Sequence, residues 1–226
     1  MSIYRNVYNK IYGNFDIWSN TFCLKKQIDL IGWGGDQKLF YNVNKSFDKH
    51  IFVDVGVWKG QSSINMAKTI QDLNLDGVVI SIDTFLGSIE HFDYIENSGQ
   101  PNYAKNLFNR LPGGRPDLYE TFISNILSLK LQNLIIPLPQ TSNNAAKMLK
   151  LNKINPTFIH IDASHEYIDV KRDLEDFFEI LQPKGLIICD DYSLVWAGVK
   201  QAVDEFCNQK NVTMINHNGK AIIVKR

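Results

Sequence analysis

From residue 50 onward, short apolar runs that end at acids or turn residues alternate with stretches of helical period. The runs are HIFVDVG (50–56), GVVISID (77–83), NLIIPLP (133–139), PTFIHID (156–162) and LIICDD (186–191). Runs this short and this uniformly apolar predict strands buried on both faces. Between them, Ile64, Ala67, Ile70 and Leu73 predict a helix over 61–74. Further helical patterns fall near 116–130 (Tyr119, Phe122, Ile126), at 143–151 and at 194–208. Tyr167, Val170, Leu174, Phe177 and Leu181 stripe another helix, which Pro183 and Gly185 close.

Upstream, Ile3, Tyr4, Val7, Tyr8, Ile11 and Tyr12 predict an amphipathic helix over 3–12. The rest of 13–48 lacks a period and reads as a cap packed on the main domain. Residues 86–115 form the other long irregular stretch, and a loop of that length inside a domain reads as a lid. Strands alternating with helices imply a parallel sheet wound by right-handed crossovers. Near the end, Asn218-Gly219 between two apolar runs predicts a hairpin, so the last strand turns antiparallel. The expected architecture is one α/β domain over 1–226, with an N-terminal helical cap (1–48) and a lid segment (86–115).

Composition narrows the partners. The chain has 226 residues, with 24 Lys+Arg balanced by 24 Asp+Glu. Zero net charge argues against duplex nucleic acid or an anionic membrane surface as partner. Three cysteines far apart (Cys23, Cys189, Cys207) argue against a disulfide framework or a zinc ribbon and favour a cytoplasmic setting. No apolar run approaches the roughly 20 residues of a membrane helix, and the N-terminus is no signal peptide. The aromatic N-terminus is a candidate homo-oligomer surface.

Ligands of open α/β sheets bind beyond the carboxyl ends of the strands, so the chemistry is sought there. After 50–56 comes Asp54-Val55-Gly56-Val57-Trp58-Lys59-Gly60-Gln61-Ser62. Two glycines four apart permit a tight turn and close ligand approach, with free amides at the helix start near Ser62; a plain capped turn is the alternative. The spacing matches neither a phosphate loop nor a dinucleotide fingerprint. Asp83 ends the second run, where an acid can accept both hydroxyls of a ribose; a helix cap is the alternative, although Thr84-Phe85-Leu86-Gly87 is a poor helix start. Glycine turn and acid together indicate an adenosine-containing ligand.

If 158–162 and 186–191 are neighbouring strands, Asp162, Asp190 and Asp191 converge. Three carboxylates repel unless protonated or bridged by a cation, and oxygen ligands select a hard ion such as Mg²⁺. Helix capping beside a solvated acidic loop is the alternative. His165, three residues past Asp162, is a candidate base, or a helix-start histidine that merely hydrogen-bonds Asp162. His160 and Cys189, inside strands, read as core residues.

Together, D-V-G-x-x-x-G-x-S (54–62), S-I-D-T-F-L-G-S-x-E-H (81–91), I-D-A-S-H-E-Y (161–167) and C-D-D-Y (189–192) resemble class I S-adenosylmethionine-dependent methyltransferases. The resemblance, over about 50–208, is nearest to the macrolide-sugar and aminocoumarin-sugar O-methyltransferases, with catechol-type enzymes more distant. It implies a Rossmann-like seven-stranded sheet. It also implies a cofactor set in which Asp54, Gly56 and Gly60 line the methionine portion and Asp83 holds the ribose. Ser62 and Thr84 belong to that set, and Thr141 and Ser142 match positions near adenine. Asp162, Asp190 and Asp191 match the metal triad of metal-dependent members, with Asp162 and His165 as the catalytic pair. His165 stands where catechol enzymes carry a lysine.

The expected activity is metal-assisted O-methylation of a small-molecule hydroxyl, on a sugar or an aromatic ring. Trp18, Trp33 and Tyr41 in the cap and Phe92, Tyr94 and Tyr103 in the lid are candidates for the acceptor pocket. Two alternatives are a non-catalytic S-adenosylmethionine-binding regulator or scaffold and a nicotinamide-dependent oxidoreductase; the glycine spacing disfavours the second.

Overall fold

Seven strands pair in the order β3-β2-β1-β4-β5-β7-β6. They are β1 (His50–Val55), β2 (Gly77–Asp83), β3 (Ile135–Pro139), β4 (Phe158–Ile161), β5 (Leu186–Cys189), β6 (Met214–His217) and β7 (Lys220–Val224). The computed structural model describes residues 2–19, 27–32, 37–100, 102–111 and 113–226. Cys23 and Trp33 lie outside them. β1 to β5 pair in parallel, and β7 runs antiparallel to both β5 and β6. The sheet is therefore mostly parallel, with its last strand reversed.

The parallel pairing explains the unalternated apolar runs. β1 is buried at all six positions because both of its faces are covered. Ile51, Val53 and Val55 enter one core with α1 (Ile3–Tyr12), α7 (Ser142–Leu151), α8 (Tyr167–Ile180) and α9 (Ala197–Lys210). Phe52 points to the other core, which holds α2 (Gln37–Phe40), α3 (Gln61–Asp72) and α6 (Leu118–Ser128). Among the described residues no helix is long and apolar enough to cross a membrane.

The N-terminal helix behaves as a layer helix. Ile3 and Val7 are buried in the core beside β2, and the Tyr12 hydroxyl donates to the Pro137 carbonyl of β3 (2.5 Å). Trp18 Nε1 donates to Tyr4 Oη (3.2 Å), and Tyr41 Oη donates to Asp72 at the far end of α3 (2.5 Å). The Tyr41 bond ties the N-terminal segment to the domain, whereas the Trp18 bond is internal to that segment.

The 86–115 stretch is more regular than its pattern predicts. It holds α4 (Ile89–Ser98) and α5 (Lys105–Phe108). No side chain of α4 is buried, although Ile89, Phe92 and Ile95 recur at helical spacing. Its ends carry a further signal. The Ser88 amide donates to His91 Nδ1 (3.0 Å), a capping box with histidine in the usual Glu/Gln place, and Gly99 closes the helix in a left-handed conformation.

Candidate functional site

The carboxyl ends of β1, β2, β4 and β5 meet along one edge, and non-glycine residues there are forced into left-handed backbone. Trp58 (φ 50), Phe85 (φ 56) and Asp191 (φ 57) follow β1, β2 and β5. For rings as bulky as Trp and Phe this conformation is an outlier, tolerated where the surroundings hold it and concentrated at functional sites.

Gly56 and Gly60 are needed for different reasons. Gly56 has φ +85, and a Cβ there would meet the Asp162 carbonyl oxygen at 2.1 Å. Gly60 has φ +93, and its Cβ would strike the Phe122 ring at 2.8 Å. The first glycine lets β1 touch the end of β4, while the second lets the start of α3 settle on α6.

Asp83 holds this turn. Its Oδ2 accepts from the amides of Val57 (3.0 Å) and Trp58 (2.9 Å), and its Oδ1 accepts from Phe85 (2.7 Å). Burial raises its pKa, opposed by those three amides. A carboxylate offers about four acceptor positions, and these amides engage three of them. Neighbouring Thr84 is exposed, and its Oγ1 accepts from the Leu86 amide (3.3 Å).

Asp54 is fully enclosed. Its Oδ2 accepts from the hydroxyls of Ser62 (2.7 Å) and Ser63 (2.5 Å), and its Oδ1 pairs with His160 Nδ1 (2.9 Å). These bonds anchor the start of α3 beneath the turn, so Asp54 and the Ser62 hydroxyl brace the glycines from inside. Across the edge, Thr141 Oγ1 caps α7 by accepting from Asn144 N (3.3 Å), and Ser142 donates to Asp173 on α8.

β4 and β5 pair in parallel with Ile161 opposite Cys189, so Asp162 and Asp190 end side by side as expected. Ligand atoms gather in two groups that share Asp162: His160, Asp162 and Asp190 on the inside, and Asp162, His165 and Asp191 on the outside, each within 4.8 Å. A cavity of about 10 Å³, enough for a water, lies among Asp162, His165, Cys189 and Asp190.

The predicted repulsion among these acids is relieved within the protein. His160 Nε2 faces Asp190 Oδ2 (3.4 Å) while its Nδ1 faces Asp54. Burial alone would lower the His160 pKa, but these two carboxylates raise it. The Lys220 ammonium donates to Asp190 Oδ1. Burial works against ionising Asp190, yet His160 and Lys220 hold its carboxyl below the usual carboxylate range.

His165 is clamped between Glu90 of α4 (Nδ1 to Oε1, 3.1 Å) and Asp191 (Nε2 to Oδ2, 2.8 Å), and its ring stacks on Trp196 at 4.0 Å. It therefore pairs with Asp191 and Glu90 rather than Asp162. Burial lowers its pKa, but the two carboxylates outweigh that and bring it to about 10. For Asp162, burial raises the carboxyl above the usual carboxylate range, opposed by His160 and His165 and reinforced by Asp190 and Asp191.

Three participants escaped the sequence reading. Lys59, between the two glycines, is buried and donates to both Asp29 carboxylate oxygens (3.1 and 3.2 Å) and to the Tyr103 carbonyl (3.2 Å). It thereby ties the N-terminal segment and the 86–115 segment to the turn. His91 stacks on Trp58 at 4.1 Å. Lys220 follows the Asn-Gly turn at the start of β7, and the pairing of β7 with β5, Ala221 opposite Cys189, puts it across from Asp190, a placement the turn alone does not set.

Residues 53–192 match the family described as "Methyltransferase domain". No curated protein matches the sequence. Among solved structures, the O-methyltransferase NovP superposes with a TM-score of 0.59 at 18% identity, covering 84% of this chain and 78% of its own. The O-methyltransferase from Bacillus cereus in complex with SAH gives 0.57 at 15% identity, covering 88% and 84%. CalS11, a TDP-rhamnose 3'-O-methyltransferase of calicheamicin biosynthesis, gives 0.57 at 15% identity, covering 83% and 76%.

Proposed function

The chain belongs to the class I S-adenosylmethionine-dependent methyltransferases of this domain family, and on that premise we propose that it methylates a hydroxyl of a small ring-bearing acceptor, assisted by a divalent ion such as Mg²⁺. The observation that carries this reading is the backbone contact of Gly56 with Asp162. It sets the glycine turn, with Asp83 behind it, beside the acidic cluster, so a methyl donor on one and an acceptor on the other would meet.

In this reading Asp83 fixes the ribose, while the Gly56–Gly60 turn accommodates the methionine portion. Transfer from a sulfonium to oxygen is an in-line displacement, for which alignment supplies much of the acceleration. The oxygen donors of Asp162, Asp190 and Asp191 suit a hard cation, which when bound lowers the pKa of an acceptor hydroxyl and orients it. Against its burial, Asp191 and Glu90 raise the His165 pKa to about 10, so its Nε2 carries the proton held by Asp191. Once Asp191 is engaged elsewhere and that proton passes to solvent, Nε2 would take the acceptor proton. Trp196, stacked on His165, and the exposed Leu194 and Val195 form an apolar rim that suits a sugar or aromatic ring.

The test has two parts. S-adenosylhomocysteine at a hundredfold excess over Kd should stabilise the protein by about 2.7 kcal/mol, and no thermal shift would overturn the cofactor assignment. With an acceptor in hand, methyl transfer should fall in chelator and recover with Mg²⁺. His165→Ala should lower turnover about 10²–10⁴-fold with little change in cofactor affinity. Full activity in chelator refutes metal assistance.

A further inference from the structure

We propose that Lys220 is an internal counter-cation that occupies Asp190 in place of a divalent ion, so that the ion binds only by displacing the lysine ammonium. This rests on the metal-assisted reading above.

The backbone delivers Lys220 to this position. Asn218 (φ 52) and Gly219 (φ 81) both take positive φ, as a type I′ hairpin turn requires. That turn fixes the pairing of β6 with β7, His217 opposite Lys220. On its other edge β7 pairs with β5, with Leu186 opposite Val224 and Cys189 opposite Ala221. Continuing the ladder by one residue puts Lys220 directly across from Asp190, the position at which opposite charges on neighbouring strands interact.

The side chains complete the arrangement. Lys220 and Asp190 are 17% and 10% exposed, so water screens the pair little. The ammonium takes Asp190 Oδ1, an oxygen that also accepts from the Asp191 amide (2.9 Å). His160 takes Oδ2. Both oxygens of Asp190 thus already face cations or donors, and Asp190 is absent from the outer group of Asp162, His165 and Asp191.

The ion must then share Asp190 with a tethered competitor. If Lys220 holds Asp190 in more than about nine-tenths of the molecules, the apparent affinity of the wild-type protein for the ion is weakened at least about tenfold, in inverse proportion to the competent fraction. Lys220 also offsets the Asp190 charge without metal. Removing it leaves Asp190 with His160 and the Asp191 amide and gives the ion a net electrostatic gain.

The experiment titrates the full-length protein with Mn²⁺, reading affinity by calorimetry and Tm in parallel, without an acceptor. Lys220→Met should bind Mn²⁺ at least about tenfold more tightly than wild type, and Mn²⁺ should raise its Tm more. Lys220→Arg, which retains a tethered cation, should stay close to wild type. Lys220→Gln serves as a second neutral variant should the methionine variant fold poorly in chelator. Equal affinities in wild type and the neutral variants overturn the role of Lys220 while leaving the metal reading standing. No Mn²⁺ binding in any of the proteins overturns both.

Discussion

The carbonyl oxygen of Asp162 lies 2.1 Å from where a Cβ on Gly56 would stand, so the ends of β1 and β4 touch through backbone alone. No side chain fits between the turn proposed for the methyl donor and the cluster proposed for the acceptor. Their separation is set by the sheet itself and does not depend on a loop closing.

Gly56→Ala should destabilise the domain by about 2–5 kcal/mol, the sum of a left-handed alanine at about 1–2 and overpacking at about 1–3. Gly99→Ala is the control, because it has φ +65 and nothing within 4 Å of its Cβ; only the backbone cost of about 1–2 kcal/mol should appear there. Urea denaturation of both variants separates the terms. Equal losses would mean that the β1–β4 contact relaxes freely.

Asp83→Ala should weaken S-adenosylhomocysteine binding and also lower stability. Its carboxylate is the acceptor for three amides, and stranded buried donors cost about 1–3 kcal/mol each. Denaturation without ligand measures the structural part, and calorimetry measures the loss of affinity. An Asp83→Ala protein with wild-type stability would show that those amides find other partners.

Asp173 should make stability fall with rising pH. Burial raises its carboxyl from 3.8 to about 7, against the hydrogen bond from Ser142. The folded state therefore binds more protons than the unfolded state between these values. Its contribution is fully present below about pH 4 and is lost as pH climbs through 7. Asp173→Asn keeps an acceptor for Ser142 and removes the charge, so it should stabilise the protein by roughly 1–4 kcal/mol at pH 8 and by little at pH 4. Parallel melting curves at the two pH values are the measurement. A uniform difference across pH would contradict this account.

The 86–115 segment should respond to cofactor as a lid joined to the turn through Trp58 and His91. Aromatic pairing of this kind contributes about 0.5–1.5 kcal/mol, so His91→Ala should speed amide exchange in α4 roughly two- to tenfold. Exchange in β1 should stay unchanged, and wild-type α4 should slow when S-adenosylhomocysteine binds. Strong, ligand-independent protection of α4 would make the segment a packed part of the domain.

The residue pattern alone determined the alternation of buried strands and helices, the closing Asn-Gly hairpin, and the acids at the strand ends. Each follows from local rules: unalternated apolar runs need cover on both faces, and adjacent positive-φ residues need Asn and Gly. Tertiary structure decided which charges face one another. Asp54 turns inward to Ser62, Ser63 and His160, and Lys59 finds Asp29. His165 meets Glu90, an acid on a helix that buries none of its side chains. The order β3-β2-β1-β4-β5-β7-β6 brings Lys220 to Asp190 and converts an acidic triad that looked uncompensated into a cluster holding its own cations. Periodicity reports which side of an element is buried. It carries no information about what a distant crossover will place opposite, and electrostatic pairing depends on that placement.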